Sequence, residues 1–583
     1  GSCRCLQLTE EVSTLCRALG VRTRDVALLS RALGVCGLRL NSLRENDEIQ
    51  MTSHSVNPEG PVLFTLVSQF ADVFGGMARE LKRGGRSVAM LYTGGLPDSS
   101  IYDFAASDFD ELINYEQVLK PTPRAELPSL AVLFREAEKL ERGYNIRMME
   151  IIRADRHLGQ AYVTGADMPV SHFARRFDYT QSVDLCVRLI RYFVQLLDRL
   201  RPSVIITAPA DAARLILTAI AEVRGIPTRV PGPNYSNTGF QWRVNRFFWP
   251  GGLVQAYQNE LASLEKQPPI KLTAVGVSDS DRTEYARLAI RDGMSFTAPM
   301  GSIYRLLKRK AGDIIKKRQR GYGGYYIGEA VTRILSMWWI RRRLMRMRPL
   351  LVELPGDQPY VFFPLVVEPE TTLQCEAPMS DNQLCLIDWL AKTVPPGWKV
   401  VVKEHPGFTY PRPRFFWEQI ERYPNVEIAA IYESGEQLAQ RARVVTVING
   451  TLGMQAASAG IPVLAFSPYW WGHFLPHVVY ASSYEETANC LRFLAEDANL
   501  PAMEDRLRCG EALVKALDAN SFDLVDPRIL EEKALGEPTP IADIENIVLS
   551  LLQSLDGPTG DPSIPFQHTV QHDRDTLYAG AGI

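Results

Sequence analysis

The sequence contains no uninterrupted run of 18 apolar residues. Its nearest approach to one, VIITAPADAARLILTAIA, includes Asp211 and Arg214. A membrane-spanning helix needs about 20 predominantly apolar residues, so we expect no membrane span. A secretory signal, with its basic start and short apolar stretch, is not visible either. These two absences favour a cytoplasmic protein.

Paired cysteines are also lacking. The nine cysteines are scattered, and the close pair Cys3 and Cys5 matches no common zinc-binding spacing. An odd number without a regular framework is typical of a reducing compartment. We expect most of these thiols to be buried as small apolar side chains, and we expect neither a metal nor another cofactor.

A large net charge is absent too, but the charge is unevenly distributed. The chain carries −3 overall, whereas the segment from Arg305 to Arg348 holds fourteen Lys and Arg against Asp313 and Glu329. Apolar residues are interleaved with these cations, among them Trp338 and Trp339. A basic amphipathic helix of this kind suits an anionic membrane surface. The alternatives are a solvated inter-domain helix pair that meets the acidic remainder of the protein, or nucleic-acid binding, which no surrounding module supports.

The length of 583 residues exceeds what one hydrophobic core needs, so at least two domains are expected. Apolar strands alternate with amphipathic helices from residue 61 and again from Tyr360, and this pattern favours parallel sheets. A helix followed by Gly-Ile-Pro and a strand occurs both at 225–227 and at 460–462. The sequence therefore predicts an α/β protein with two doubly wound parallel-sheet domains.

Composition and pattern divide the chain into six predicted segments. They are a helical N-terminal extension (1–60), a first α/β domain (61–299), a basic helical linker (300–355), a second α/β domain (356–525), a further helix (526–555) and a flexible tail rich in Gly, Pro and Asp (556–583).

Polar residues come directly after the predicted strands of the second domain, where open parallel sheets bind their ligands. One strand, KVVV, runs directly into Lys403, Glu404, His405 and Pro406. We expect Lys403 and His405 to face a ligand, and Glu404, on the other side of the pleat, to brace the loop. Pro406 stops the strand and stiffens the loop after it. The alternative is that His405 also only braces the loop.

A second strand, VVTVI, runs into Asn449, Gly450 and Thr451 and then at once into a helix. The first amides of such a helix, at the positive end of its dipole, form an anion site. Gly450 would let a phosphate approach the backbone, and Thr451 would cap the helix and donate a hydroxyl. The alternative is an ordinary turn with a helix cap.

These stretches carry a resemblance to a known family. FFPLVVEPETTL, VVKEHPGF and VVTVINGTLGMQAASAGIPVLAFSPYWW resemble the capsule polysaccharide biosynthesis family of bacterial glycosyltransferases. That family includes transferases of Kdo from CMP-Kdo and is similar to bacterial sialyltransferases that carry a His-Pro motif. The resemblance covers residues 356–525. It implies a GT-B fold, in which two Rossmann-like domains face a cleft and the nucleotide lies mainly on the second.

The resemblance also implies roles for individual residues. His405 and Pro406 would shape the nucleotide-phosphate site, and the 449–451 loop would bind phosphate or nucleoside. Gln455 stands where the family often has a Glu that holds a ribose hydroxyl; Gln can accept the same bond without the charge.

The implied activity is transfer of a sugar, with Kdo or a related ulosonic acid as the first expectation. The donor would be nucleotide-activated, and the acceptor would be a glycan or a lipid-linked glycan of a bacterial surface polysaccharide. Such an enzyme would work at the inner face of the cytoplasmic membrane, without nucleic acid. The alternatives are a teichoic-acid-type phosphotransferase with a CDP-activated donor, and a non-catalytic glycan-assembly or export partner that kept the fold.

Glycosyl transfer needs a carboxylate or imidazole as base or nucleophile. In a GT-B arrangement this group would come from the first domain, where Asp98, Asp211 and His172 are the candidates. Asp98 and Asp211 come after predicted strands. The alternatives are a helix cap for Asp211 and a turn for Asp98.

Two Asp-x-Asp pairs, Asp108/Asp110 and Asp279/Asp281, are weighed as the metal-binding pair of GT-A enzymes. Neither pair comes after a clean apolar strand, and the second is typical of a capped helix start. The sequence therefore predicts no metal at either.

Overall fold

The structure is a computed structural model, and it describes the two α/β regions and part of the segment between them. The described residues are 57–67, 70–93, 103–155, 177–233, 239–244, 249–264, 297–315, 357–368, 370–405, 414–431, 433–468, 472–525 and 539–556, together with isolated positions between these ranges. The predicted extension at 1–60 and the predicted tail at 556–583 lie almost wholly outside them.

The first sheet has seven strands in the order β3-β2-β1-β4-β5-β6-β7. Strands β1 to β5 are parallel, and β6 and β7 continue the sheet antiparallel. The strands are β1 (Val62–Thr65), β2 (Val88–Tyr92), β3 (Glu111–Asn114), β4 (Val204–Ile206), β5 (Thr228–Pro233), β6 (Phe240–Val244) and β7 (Trp249–Pro250). Helices in this half of the chain are α1 (Ala71–Arg83), α2 (Leu130–Tyr144), α3 (Met148–Ala154), α4 (Tyr179–Leu200), α5 (Ala212–Val223), α6 (Leu253–Leu264) and α7 (Thr297–Ile315).

The second sheet has six strands, all parallel, in the order β10-β9-β8-β11-β12-β13. The strands are β8 (Tyr360–Pro364), β9 (Lys399–Lys403), β10 (Val426–Ala429), β11 (Val444–Val447), β12 (Val463–Ala465) and β13 (Val478–Tyr480). The helices are α8 (Thr371–Gln374), α9 (Gln383–Thr393), α10 (Arg414–Ile420), α11 (Gly435–Arg441), α12 (Thr451–Ser458), α13 (Tyr484–Ala495), α14 (Met503–Ala519) and α15 (Ile541–Asp556).

Both strand orders have the Rossmann pattern, in which the third, second and first strands are followed by the fourth and fifth. The predicted fold class, two Rossmann-like doubly wound domains, is confirmed. Central strands are buried on both faces, as the four buried residues of β11 illustrate. A continuous apolar run is what a parallel strand between two helix layers requires, and it is the signal that the sequence carries.

Two helices cross between the domains. Helix α6 falls within the range predicted for the first domain, yet Leu253, Tyr257 and Leu264 pack in the core around the second sheet, against α14. Helix α15 instead packs on α1 of the first domain. The chain therefore crosses before the predicted boundary at 299, and the predicted helix at 526–555 belongs to the first domain. Local patterning shows that a helix has an apolar face but not which core receives it.

The end of α15 is held by a buried cation. Arg229 of β5 is 4% exposed, and its Nε donates to Ser554 Oγ at 2.9 Å. Its guanidinium also donates to the Ser554 carbonyl oxygen. Burial lowers the pKa of Arg229 to about 10. A cation at the last turn of a helix is stabilised by the helix dipole, so this contact fastens α15 to the first sheet.

The cysteines and the apolar helices bear on two predictions from composition. Four of the five described cysteines are buried, which confirms their role as small apolar side chains. Within the described ranges, no helix is long and apolar enough to span a membrane.

Candidate functional site

The strand order of the second sheet reverses between β8 and β11. Crevices that bind ligands in open α/β sheets lie outside the carboxyl ends of the strands at this point. The chain after β8 contains Glu368 and Glu376, and the chain after β11 contains Asn449. The sheet therefore brings the predicted 449–451 loop together with acidic residues more than seventy positions earlier.

Asn449 and Glu376 are in direct contact. Asn449 Nδ2 donates a hydrogen bond to Glu376 Oε2 at 2.7 Å, and both side chains are partly exposed. Burial raises the pKa of the Glu376 carboxyl to about 8, opposed by the charge of Arg243 and assisted by that of Glu370. The carboxyl is therefore largely protonated at neutral pH. Glu376 was not among the residues predicted from the sequence.

The helix after β11 begins at Thr451, and its N-cap is Gly450, which has extended backbone angles (φ −93°, ψ 153°) and no capping side chain. The prediction that Thr451 caps the helix is therefore wrong, because Thr451 is already the first helical residue and is exposed. A Cβ built on Gly450 would meet no atom of the described residues within 4 Å, so none of these residues blocks the first turn of the helix. Gln455 lies one turn further on and is partly exposed.

The residues after β9 divide between the interior and the surface. Lys403 and Glu404 are buried, whereas His405 is exposed at the strand end. Lys403 Nζ lies 3.4 Å from the Glu404 carbonyl oxygen. Burial raises the pKa of the Glu433 carboxyl, and the charge of Lys403 partly offsets that rise. Pro406 lies outside the described residues.

Glu404 takes part in a buried ion cluster. Arg412 Nε donates to Glu404 Oε2 at 2.8 Å, and Arg412 Nη1 donates to Glu368 Oε2 at 3.0 Å. All three side chains are at most 4% exposed. The backbone N–H of His405 donates to Glu404 Oε1 at 3.0 Å. These contacts agree with the predicted role of Glu404 in bracing the loop. Arg412 was not predicted from the sequence.

The loop between α8 and α9 joins the two domains. Arg153 of α3 forms an ion pair with Asp381 at 2.8 Å, and Cys375 packs within the core of the first domain. Burial raises the pKa of Asp381 to about 6, opposed by the charge of Arg153. Glu376 lies between these two contacts in the sequence, so it stands where the first domain meets the second.

Of the three predicted catalytic residues, Asp211 alone lies among the described residues; Asp98 and His172 lie outside them. Asp211 is the N-cap of α5, with Oδ1 accepting from the Arg214 backbone N–H at 2.9 Å. Its Oδ2 accepts from Arg214 Nη2 at 2.7 Å. The helix-cap alternative is therefore confirmed for Asp211, and its catalytic role stays a prediction.

A buried carboxylate that the sequence did not single out lies at the same end of the first sheet. Asp155 Oδ2 accepts from the Ala212 backbone N–H at 2.8 Å, and Asp155 is fully buried. Thr65 and Thr207, at the ends of β1 and β4, share a hydrogen bond of 2.9 Å. Among the described residues, polar contacts therefore lie at the strand-order reversal of the first sheet.

The Asp-x-Asp pair Asp108/Asp110 lies at the opposite edge, before β3. Asp108 accepts from Arg79 Nη1 at 2.9 Å, and Asp110 accepts from the Val88 backbone N–H at 2.9 Å. Lys82 lies 3.0 Å from Asp110, and the hydrogen bonds to Val88 and Lys82 hold the pKa of that carboxyl below its usual value. Both carboxylates are engaged in holding local structure. Asp279 and Asp281 lie outside the described residues.

Comparison with known proteins gives structural likeness only. No protein-family model matches the chain, and no curated protein sequence does. Among solved structures, the chain is 11% identical to a β-Kdo 2,7 transferase, KpsC, of Thermosulfurimonas dismutans, covering 62% of this chain and 89% of that one, with a TM-score of 0.28. The glycotransferase of kitacinnamycin is 12% identical over 79% and 97% of the two chains, with a TM-score of 0.22. UDP-GlcNAc 2-epimerase from Neisseria meningitidis is 10% identical over 78% and 99%, with a TM-score of 0.20.

Proposed function

We propose that the chain is a glycosyltransferase that uses a nucleotide-activated sugar. The donor sugar is proposed to be Kdo or a related ulosonic acid carried by CMP, and the acceptor a glycan or lipid-linked glycan of a bacterial surface polysaccharide. One observation carries the proposal. The helix start at 450–451, the exposed His405 and the carboxyl of Glu376, whose pKa burial raises, all lie at the carboxyl edge of one sheet, around its strand-order reversal.

The spacing of these groups suits a nucleotide. Strand β8 lies between β9 and β11, and neighbouring strands are about 4.8 Å apart, so the ends that carry His405 and Gly450 are separated by roughly 10 Å. A nucleoside phosphate is long enough to contact both. The phosphate would take the first amides of α12, where the helix dipole favours an anion.

The proposed chemistry needs charge stabilisation at the leaving group and a base for the acceptor. The departing phosphate gains negative charge as the bond to the sugar breaks, and fixed donors at α12 and His405 stabilise that charge. The proton of the acceptor hydroxyl would pass to a first-domain group, for which Asp98, His172 and Asp211 stay the predictions.

Nucleotide binding tests the proposal directly. We expect CMP to raise the melting temperature of the protein, and UDP and GDP to leave it nearly unchanged. A phosphotransferase with a CDP-activated donor releases CMP, so that alternative predicts stabilisation by both CDP and CMP. Stabilisation by UDP or GDP alone would contradict a CMP donor. If no nucleotide stabilises the protein, the proposal fails and a non-catalytic partner is favoured.

Activity separates an enzyme from a partner. We expect His405→Ala to lower transfer from CMP-Kdo about 100-fold, the usual effect of removing one donor to a developing charge. Glu138→Ala serves as the control, because Glu138 is exposed on α2, far along the chain from the second sheet. Full transferase activity in His405→Ala would contradict the proposed role of His405.

The basic segment supports a proposed location at an anionic membrane surface. Helix α7 exposes Met300, Tyr304 and Leu307, and Trp339 is 51% exposed further along the segment. Exposed apolar side chains among cations suit the interface of an anionic bilayer. We expect binding to vesicles that contain phosphatidylglycerol, weakened by salt and by neutralising the three arginines at 341–343. Binding unchanged by salt and by the substitutions would contradict the proposed location, and no binding to vesicles would favour an inter-domain charge contact.

A further inference from the structure

The loop that carries Glu376 is fixed at both ends. On one side, Ser467 Oγ, just after β12, donates to the Glu376 carbonyl oxygen at 3.5 Å. On the other side, Ser380 Oγ donates to the carbonyl oxygen of Phe466, and Asp381 pairs with Arg153. The backbone of Glu376 is therefore anchored to the strand ends of the second sheet and, through the ion pair, to the first domain.

The side chain of Glu376 points to the helix start. Its Oε2 accepts from Asn449 Nδ2, and Asn449 immediately precedes the N-cap Gly450. Through Asn449, the Glu376 carboxyl is therefore linked to the start of the helix whose amides are proposed to hold phosphate. Glu376 is half-buried, so the surrounding protein raises its pKa while part of its surface stays accessible to a ligand at this edge.

A second polar group supports a ligand in this loop. Gln374, the last residue of α8, is 4% exposed, and its Oε1 has no hydrogen-bond partner among the described residues. A buried acceptor of this kind costs free energy until a donor reaches it. Gln374 precedes Glu376 by two positions, so the unpartnered acceptor and the acid belong to the same short stretch of chain.

The charges around Glu376 come from several elements. Arg243 of β6 belongs to the first domain and favours the ionised form, whereas Glu370 on the same loop opposes it. Asp381 and Arg153 form a pair at the far end of the loop. Burial outweighs Arg243, so the pKa of Glu376 is raised to about 8.

An ionised carboxylate beside a phosphate would repel it, whereas a neutral carboxylic acid donates a hydrogen bond to it. We propose that Glu376 belongs to the donor site and binds the donor phosphate as a neutral acid, through a hydrogen bond from its carboxyl O–H. This inference rests on the proposed function. It adds to the site a hydrogen-bond donor that exists only while Glu376 is protonated. Asn449 engages Oε2, so the proposal assigns the donating O–H to Oε1.

The inference predicts that binding and protonation are linked. Below pH 8 the acid is already protonated, so CMP binds without proton uptake. Above pH 8 the proton must be taken up on binding, and affinity falls by up to tenfold for each further pH unit. The CMP phosphate itself has lost its second proton well below pH 8, since phosphate monoesters titrate near pH 6.

Calorimetry with CMP tests the inference on the intact chain at pH 7.0 and 9.5. We expect the wild-type dissociation constant to rise at least tenfold between these values. Near pH 8.5, the binding heat should depend on the ionisation heat of the buffer. In Glu376→Gln, a neutral group of the same shape, we expect affinity to stay near the wild-type value at pH 7.0 across the range. Glu370→Gln is the matched control: it removes a neighbouring carboxyl that raises the pKa of Glu376, so the fall in affinity should keep its slope and begin at a lower pH.

The outcomes separate the inference from the proposed function. CMP binding that is equally tight at both pH values, without buffer-dependent heat, would overturn the inference and leave a nucleotide-dependent enzyme standing. A Glu376→Gln protein with the wild-type pH dependence would overturn it as well. If CMP binds at neither pH, both proposals fail. The proton uptake of the wild-type protein needs no variant, so the test stands even if Glu376→Gln folds poorly.

Discussion

Arg412 Nε donates to Glu404 Oε2 at 2.8 Å, and the two side chains are buried together at the edge of the second sheet. The same guanidinium reaches Glu368 and the Val366 carbonyl oxygen, both in the chain after β8. Arg412 therefore ties the end of β9 to the end of β8. Glu404 also accepts a hydrogen bond from the backbone N–H of His405. Through Glu404, Arg412 therefore positions His405, which is proposed to contact the phosphate.

Replacing Arg412 by Met should destabilise the protein by about 3–5 kcal/mol, because two buried carboxylates would lose their shared cation. Arg412→Lys keeps the charge but loses the fork that contacts both carboxylates, so we expect an intermediate loss. Urea unfolding measures the stability. Calorimetry with CMP should show weaker binding in Arg412→Lys even where it remains folded. Arg422→Met is the control, since Arg422 is exposed just after α10. Equal stability of Arg412→Met and the wild type would contradict the bridging role.

Asp211 can be tested separately as a cap and as a catalytic group. Asp211→Ala removes the N-cap of α5 and the contact with Arg214, so a loss of about 0.5–2 kcal/mol is expected. Asp211→Ser keeps a capping oxygen and should recover most of that loss. If Asp211→Ser also keeps transferase activity, the residue is a cap alone. A stable Asp211→Ser protein without activity would instead support the predicted catalytic role.

Two glycines should respond oppositely to the same substitution. A Cβ on Gly510 of α14 would lie 2.1 Å from the Ser458 carbonyl oxygen at the end of α12. Gly510→Ala must therefore push α12, the helix of the proposed phosphate site, away from α14, and we expect a loss of about 1–3 kcal/mol together with weaker CMP binding. A Cβ on Gly312 of α7 meets no atom of the described residues within 4 Å, so Gly312→Ala should stabilise the protein by about 0.5–1 kcal/mol. Thermal unfolding of both variants checks the sign, and a stable Gly510→Ala protein would show that the close approach is not required.

The sequence predicted the second sheet well, because its strands are continuous apolar runs with short connections. It also placed Asn449, Gly450 and Lys403 to His405 at strand ends, since the carboxyl edge of a parallel sheet is set by strand order alone. Glu376 could not be found this way. It lies two residues beyond the short helix α8, and its contact with Asn449 spans 73 positions. Arg412 was missed for a similar reason, because its partners lie on two different strand ends.

The domain boundaries show a different kind of miss. Helix α15 falls in a predicted helical segment and α6 only within the range predicted for the first domain, and each packs on the domain that its place in the sequence does not indicate. An amphipathic pattern predicts that one face of a helix is buried, but not which part of the protein covers that face. The prediction that Thr451 caps the helix was wrong by one residue, because Gly450 is the N-cap and has the extended conformation of that position.

The burial of Asp381, which its ion pair with Arg153 only partly offsets, should make stability depend on pH. The pKa of Asp381 is raised to about 6 in the folded protein, above its ordinary 3.8, so the folded state keeps a proton that the unfolded chain releases. The contribution of Asp381 to the free energy of unfolding therefore falls as pH rises from about 4 to 6.5. Asp381→Asn removes that fall, so relative to the wild type its free energy of unfolding should gain roughly 2 kcal/mol between pH 4.5 and pH 7. Arg153→Met removes the opposing cation and should extend the wild-type fall above pH 6.5, whereas Glu138→Gln, on an exposed carboxyl, should not change it. Urea unfolding at a series of pH values measures all three, and a difference between Asp381→Asn and wild type that stays constant from pH 4.5 to pH 7 would contradict the raised pKa.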